Sequence, residues 1–149
     1  MTPYASARSG HAARDEITKI LQRFGCQSVG FMDNFEDKSV TLAFRYREQP
    51  VQLTASGKGW AKLYLDENPW SRQRNLSEKD YNQRWLDQGM VAVNSILRDW
   101  VKGQITAVEC GILTFGAVFM PYMLTNDGRT LYERADEISL LQIEGPQHD

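Results

Sequence analysis

Apolar residues in this chain recur first with helical and then with strand period. Ile17, Ile20, Leu21 and Phe24 are spaced three and four apart, Asp15 and Glu16 sit near the start, and Gly25 follows, which predicts a short amphipathic helix over His11 to Phe24. Val29 and Phe31 then alternate with small or polar neighbours across Cys26 to Met32, and a turn-prone stretch runs from Asp33 to Lys38. The clearest strand is Val40 to Arg47, because Val40, Leu42, Phe44 and Tyr46 give it one apolar face. Glu48-Gln49-Pro50 turns the chain into Val51 to Ala55, which alternates again. A three-stranded antiparallel meander is expected, with Arg45, Arg47, Gln52 and Thr54 on its wet side.

Residues 56–76 interrupt the pattern with Gly57, Gly59, Asn68 and Pro69 and are expected to form a long loop, with room for a short edge strand at Ala61 to Leu65. Ser77-Glu78-Lys79-Asp80 has the form of a capping box with Asp in the last place. From there a stripe through Leu86, Met90, Val93, Leu97, Val101, Ile105, Val108, Ile112, Phe115 and Phe119 keeps helical period, predicting a long helix that bends or splits near Gly103 or Gly111. Pro121 ends it, Asn126-Asp127-Gly128 makes a turn, and Thr130 to Glu133 is a capping box that opens a short terminal helix. The expected fold class is α+β: a short N-terminal helix, a three-stranded meander, a long helix packed on the sheet and a short C-terminal helix. One domain over 11–144 contains all of it, with 1–10 and 145–149 as loose termini.

Composition changes this picture little. Hydrophobic residues at 42% and charged residues at 24% describe an ordinary globular chain that folds without staples. The net charge of −2 conceals a gradient: residues 1–65 hold nine Lys/Arg against six Asp/Glu, and residues 103–149 hold two against seven. Cys26 and Cys110 have no C-x-x-C partner and are expected to be buried free thiols. Met1 to Arg14 lacks an apolar core of the signal-peptide kind, so a cytoplasmic protein is expected. Ile105 to Leu124 is twenty residues with one charge, Glu109. Its proline, its continuity with a charged upstream helix and the missing basic flank make it interior or subunit seam instead of a membrane span. A homo-oligomer through the 101–124 segment is the corresponding expectation.

Candidate chemistry is sparse. His11 and His148 lie towards the ends, and no nucleophile elbow, Gly-rich phosphate loop, H-E-x-x-H or deaminase zinc pattern occurs. Asp66/Glu67 and Asp136/Glu137 are adjacent carboxylates without the contrasting surroundings that separate pKa values, and are expected to be solvated. No catalytic residue, metal or cofactor is therefore assigned. The one constellation with chemical content is basic and aromatic: Lys58, Trp60, Lys62, Tyr64, Trp70, Arg72 and Arg74, beside the Arg45/Arg47 face. Cations neutralise phosphates and flat rings accept stacked bases, so interleaving them suits a single nucleic-acid strand. The competing reading is that the tryptophans cover core and the arginines only solubilise. On the long helix Arg84, Arg98 and Lys102 are matched by Asp80, Asp87 and Asp99. The order helix, three strands, helix is also that of a double-stranded RNA-binding domain, but the lysine-rich helix start of that module is missing here.

Two blocks carry a resemblance. Arg14-Asp15-Glu16-Ile17 with Leu21-Gln22-Arg23-Phe24-Gly25 and the Ala43 to Arg47 strand, and then Trp100-Val101-Lys102, Ala107 to Phe115 and Asp127-Gly128-Arg129-Thr130, resemble a family of small phage and prophage proteins whose activity is unassigned. The sequence departs from that pattern at Gly116-Ala117-Val118, where the family is acidic, and at Thr125-Asn126. The resemblance implies a phage or prophage source. Joined to the cation and ring pattern, it gives the expected function: a non-enzymatic accessory protein that binds nucleic acid in viral DNA metabolism. The alternative is an antagonist of host machinery or antiviral defence, acting on a host protein or by sequestering a signalling nucleotide.

Overall fold

The computed structural model describes residues 1–139. Expectations for 140–149, including the loose tail from 145 and His148, lie outside the described residues. Helix α1 spans Gly10–Phe24, capped by the Ser9 hydroxyl, which accepts from the Ala12 amide at 3.2 Å, and closed by Gly25 at φ 110°. Three strands follow, β1 (Ser28–Asn34), β2 (Ser39–Tyr46) and β3 (Gln49–Ser56), paired antiparallel in the order β1-β2-β3. Helix α2 is Lys58–Glu67 and α3 is Glu78–Glu109. A short α4 (Phe115–Phe119), a single 3₁₀ turn (Met120–Tyr122) and α5 (Leu131–Glu137) complete the α+β fold.

The apolar face of β2 is buried as its alternation requires, and Val40, Leu42 and Phe44 meet Val51 of β3. Helices α1 and α3 cover that face with Ile17, Ile20, Leu21, Val93, Leu97, Val101 and Ile105, while Phe119 of α4 seals it edge-on to both Phe44 and Trp100. Arg14 fixes α1 to the sheet. Its guanidinium grips Asp33 at 2.5 and 3.2 Å, its Nε donates to the buried Asn94 at 2.8 Å, and it lies over Phe31.

Helix α3 runs unbroken through Gly103 and stops at Gly111, whose φ of +75° only glycine adopts without strain. The bend expected near one of those two glycines is thus a complete stop at the second. Of the stripe that suggested a subunit seam, Val101, Ile105 and Phe119 are buried, whereas Ile112 is 73% exposed. Thr130 makes its capping box with Glu133 as expected. Among the described residues no helix is long and apolar enough to cross a membrane.

Four expectations need correction. The 56–76 stretch is not a long loop, and Ala61 to Leu65 is not an edge strand, because 58–67 is helical. Gly57 is the N-cap and Gly59 falls in the first turn, so neither breaks the helix; the true stop is Asn68-Pro69. Arg47 does not belong to β2. It and Glu48 form a two-residue hairpin with φ of 49° and 69°, which removes Arg47 from the face it was expected to share with Arg45. Cys26 is half-buried, its thiol pushed up to about 11 by burial, whereas Cys110 is exposed at the end of α3.

Residues 1–9 are the fourth correction, because they form a strap over α2 and α3. The Trp60 indole donates to the Pro3 carbonyl at 2.7 Å, Gln88 donates to the Ala5 and Ala7 carbonyls, the Tyr4 hydroxyl donates to Asp99, and Glu67 accepts from the Thr2 hydroxyl. The Thr2 hydroxyl and the terminal ammonium hold the Glu67 carboxyl below its ordinary range, and Arg98 with Tyr4 does the same for Asp99. Carboxylates with lowered pKa hold their partners above the ordinary carboxylate range and release them as pH falls through the lowered values. The Trp60 indole resonance should therefore move to a solvated position only at pH below the ordinary carboxylate range, and Glu67→Gln should show part of that shift at neutral pH. An indole signal unmoved by acid would refute these ties.

Candidate nucleic-acid interface

Helix α2 lies against the first half of α3 because two glycines let their backbones touch. A Cβ on Gly89 would fall 2.4 Å from the Gly57 carbonyl oxygen, and one on Gly57 would fall 2.8 Å from the Gly89 carbonyl. Ala61 and Ala92 are buried beside this contact. The close approach seats the Tyr64 ring on Trp85, with centroids 3.8 Å apart, and Trp60 stacks 5.5 Å from Tyr64. Tyr81, one turn before Trp85, meets it edge-on at 6.4 Å.

The connection between the helices is pinned by hydrogen bonds that sequence composition does not announce. The Asn68 amide donates to the Tyr64 carbonyl at 2.8 Å, the Tyr81 hydroxyl donates to the Asn68 carbonyl at 2.6 Å, and the Trp70 indole donates to the Leu76 carbonyl at 2.7 Å. So held, the loop lays the Arg74 guanidinium over Tyr81 at 4.7 Å, while Arg84 lies over Trp85 at 5.7 Å.

Neither guanidinium has a carboxylate partner among the described residues; Arg74 has only a long bond of 3.4 Å to the Pro69 carbonyl. Both act on the Tyr64 hydroxyl, whose pKa is raised by burial and by Tyr81 and pulled back by these two cations. The buried Trp85 Nε1 has no acceptor. Two uncompensated guanidiniums on a stack of rings therefore occupy one end of the α2–α3 hairpin.

The chain matches no family model, no curated protein and no solved structure. Of the residues expected from the sequence, Tyr64, Trp70 and Arg74 belong to this hairpin end, with Arg72 exposed next to them. Trp60 is 8% exposed and spends its indole on the strap, so for this residue the core-covering reading holds. Trp70 is half-buried and serves the loop. Lys58 is exposed, and Lys62 pairs with Asp66 at 3.1 Å on the open side of α2, an ion pair of little energetic consequence.

Arg45 and Arg47 are elsewhere. Arg45 reaches Glu48 at 3.8 Å and Arg47 lies over Tyr46 at 5.1 Å, at the β2–β3 turn. Helix α2 starts from the other end of the sheet, where Gly57 donates to the Lys38 carbonyl, and the register places the two ends seven residues apart. At strand rise that is about 23 Å. One compact site cannot include both groups.

Arg84 and Trp85 are the residues that the sequence pattern did not single out. The charge count on the long helix sets Arg84, Arg98 and Lys102 against Asp80, Asp87 and Asp99, yet Asp87 accepts from Gln83 and Arg84 turns to the ring instead. The signal that could have found them is Tyr81 and Trp85 at i and i+4 with an arginine between. Glu67 and Asp66 are bonded to the strap and to Lys62, and not merely solvated.

Proposed function

We propose that this chain binds single-stranded nucleic acid through the free end of its α2–α3 hairpin, as a non-enzymatic accessory protein of the phage kind its motifs resemble. The supporting observation is that Arg74 and Arg84 lie over Tyr81 and Trp85 with no carboxylate among the described residues to neutralise them. A guanidinium held over a ring by cation–π attraction still has N–H groups free for phosphate oxygens. Arg72 and Lys79 are exposed nearby and add charge along a strand. Recognition by cations and ring faces carries little sequence preference.

Fluorescence anisotropy of a labelled oligo-dT tests this. Binding should appear at low salt and weaken as salt rises, with a logarithmic slope of about −1.4 to −2 for two or three phosphates. Absence of binding at low salt, or affinity indifferent to salt, would remove the proposal.

A further inference from the structure

The strap, the start of α1 and the middle of α3 border a pocket of about 460 Å³ whose polar lining is Tyr4, Ser6, Arg8, Ser9, Ser95 and Arg98. Among the described residues no carboxylate lines it. Arg8 is exposed and has no hydrogen-bond or ion-pair partner among the described residues. Arg98 gives its Nε to Asp99 at 2.9 Å, which leaves its two Nη groups unspent. Ser9 accepts from the Ala12 amide as the cap of α1, so its own O–H can still donate, and the positive end of a 15-residue helix opens on the same pocket.

Ser95 makes this more than a basic hollow. It is 5% exposed and lines the pocket, yet its hydroxyl makes no hydrogen bond among the described residues. A hydroxyl inside a helix commonly returns its bond to the carbonyl one turn back, as Thr18 does to Arg14 and Thr106 to Lys102. The equally buried Asn94 beside it spends its amide on Arg14 and Met90. Buried polar groups are almost always bonded, so an open one facing a cationic pocket points to a bound acceptor.

We infer that this pocket binds a small phosphomonoester, its phosphate held by Arg8, Arg98 and Ser95 at the start of α1. Two guanidiniums, a hydroxyl and a helix N-terminus complement a dianion with several acceptor oxygens. A volume in the range of small-molecule sites holds more than a bare phosphate, and the Ser6 and Ser9 hydroxyls suit a hydroxylated carbon frame such as a sugar. The inference does not rest on the α2–α3 hairpin, whose Trp85 lies about 15 Å along α3 from Ser95.

Amide spectra of the full chain, titrated with ribose 5-phosphate, test it. The Ser9, Gly10 and Ser95 signals should shift and saturate, and inorganic phosphate should bind the same place at least about tenfold more weakly. Arg8→Gln and Ser95→Ala should each weaken ribose 5-phosphate about tenfold, whereas Arg74→Ala with Arg84→Ala should leave its affinity unchanged. Both pocket variants should fold, since Arg8 has no partner to lose and Ser95→Ala removes an unbonded hydroxyl; the urea midpoint of Ser95→Ala should stay level or rise. No shift up to about 10 mM ligand, or an equal shift with unphosphorylated ribose, overturns the inference. So does affinity indifferent to both substitutions, and so does inorganic phosphate binding as tightly as the ester, which would mark an adventitious ion only.

Discussion

Replacing Gly89 by alanine should lower the stability of this protein by about 2 kcal/mol, although alanine is the better helix former by about 1 kcal/mol. The added methyl would stand 2.4 Å from the Gly57 carbonyl oxygen. No rotamer change relieves a clash with backbone, so α2 must move away from α3. Gly103 supplies the control, because it lies in the same helix with nothing within 4 Å of its hypothetical Cβ. Gly103→Ala should stabilise by about 0.5–1 kcal/mol. Urea titrations of the two variants should thus shift in opposite directions. Equal shifts of one sign would mean that the glycine contact does not hold the hairpin together. Separation of α2 from α3 would also lift Tyr64 off Trp85, so Gly89→Ala should weaken oligonucleotide binding even where the protein remains folded.

Removing both guanidiniums, Arg74→Ala with Arg84→Ala, should reduce affinity for oligo-dT at least tenfold and flatten the salt slope by about 1.4, the share of two phosphate contacts on a single strand. Arg84→Lys keeps the charge but not the flat fork that lies over Trp85, and should fall between the native and double-variant affinities. The pair Arg45→Ala with Arg47→Ala should change affinity no more than about twofold at 0.1 M salt, because about 23 Å exceeds two Debye lengths. If that pair instead removes binding, contact is made at the β2–β3 turn, and the hairpin rings serve only to cover the core.

Period and punctuation made most of the fold legible. The alternation of Val40, Leu42, Phe44 and Tyr46 fixed both the strand and its buried side, and the capping residues Ser77 and Thr130 marked their helices. Helix α2 was hidden because its two glycines read as breakers, whereas Gly57 is needed for the close approach to Gly89. The strap was hidden for a different reason. Its bonds end on the carbonyls of Pro3, Ala5 and Ala7, and backbone acceptors leave no mark in side-chain pattern. The site was legible only as a mixture of cations and rings. Proximity in sequence joined Arg45 and Arg47 to the 58–74 residues across a sheet that holds them apart, and the balance of charges on the long helix hid that Arg84 meets a ring and no carboxylate among the described residues.

The proposed binding requires that phosphate meet the guanidiniums over Tyr81 and Trp85. Side-chain Nε–H resonances of nitrogen-15 arginine, followed while oligo-dT is added to the full chain, observe those groups directly. The signals of Arg74 and Arg84 should move together and saturate at the concentration where anisotropy saturates, with Arg45 and Arg47 unmoved. Movement confined to Arg45 and Arg47, or none at any arginine while the oligonucleotide binds, would contradict it.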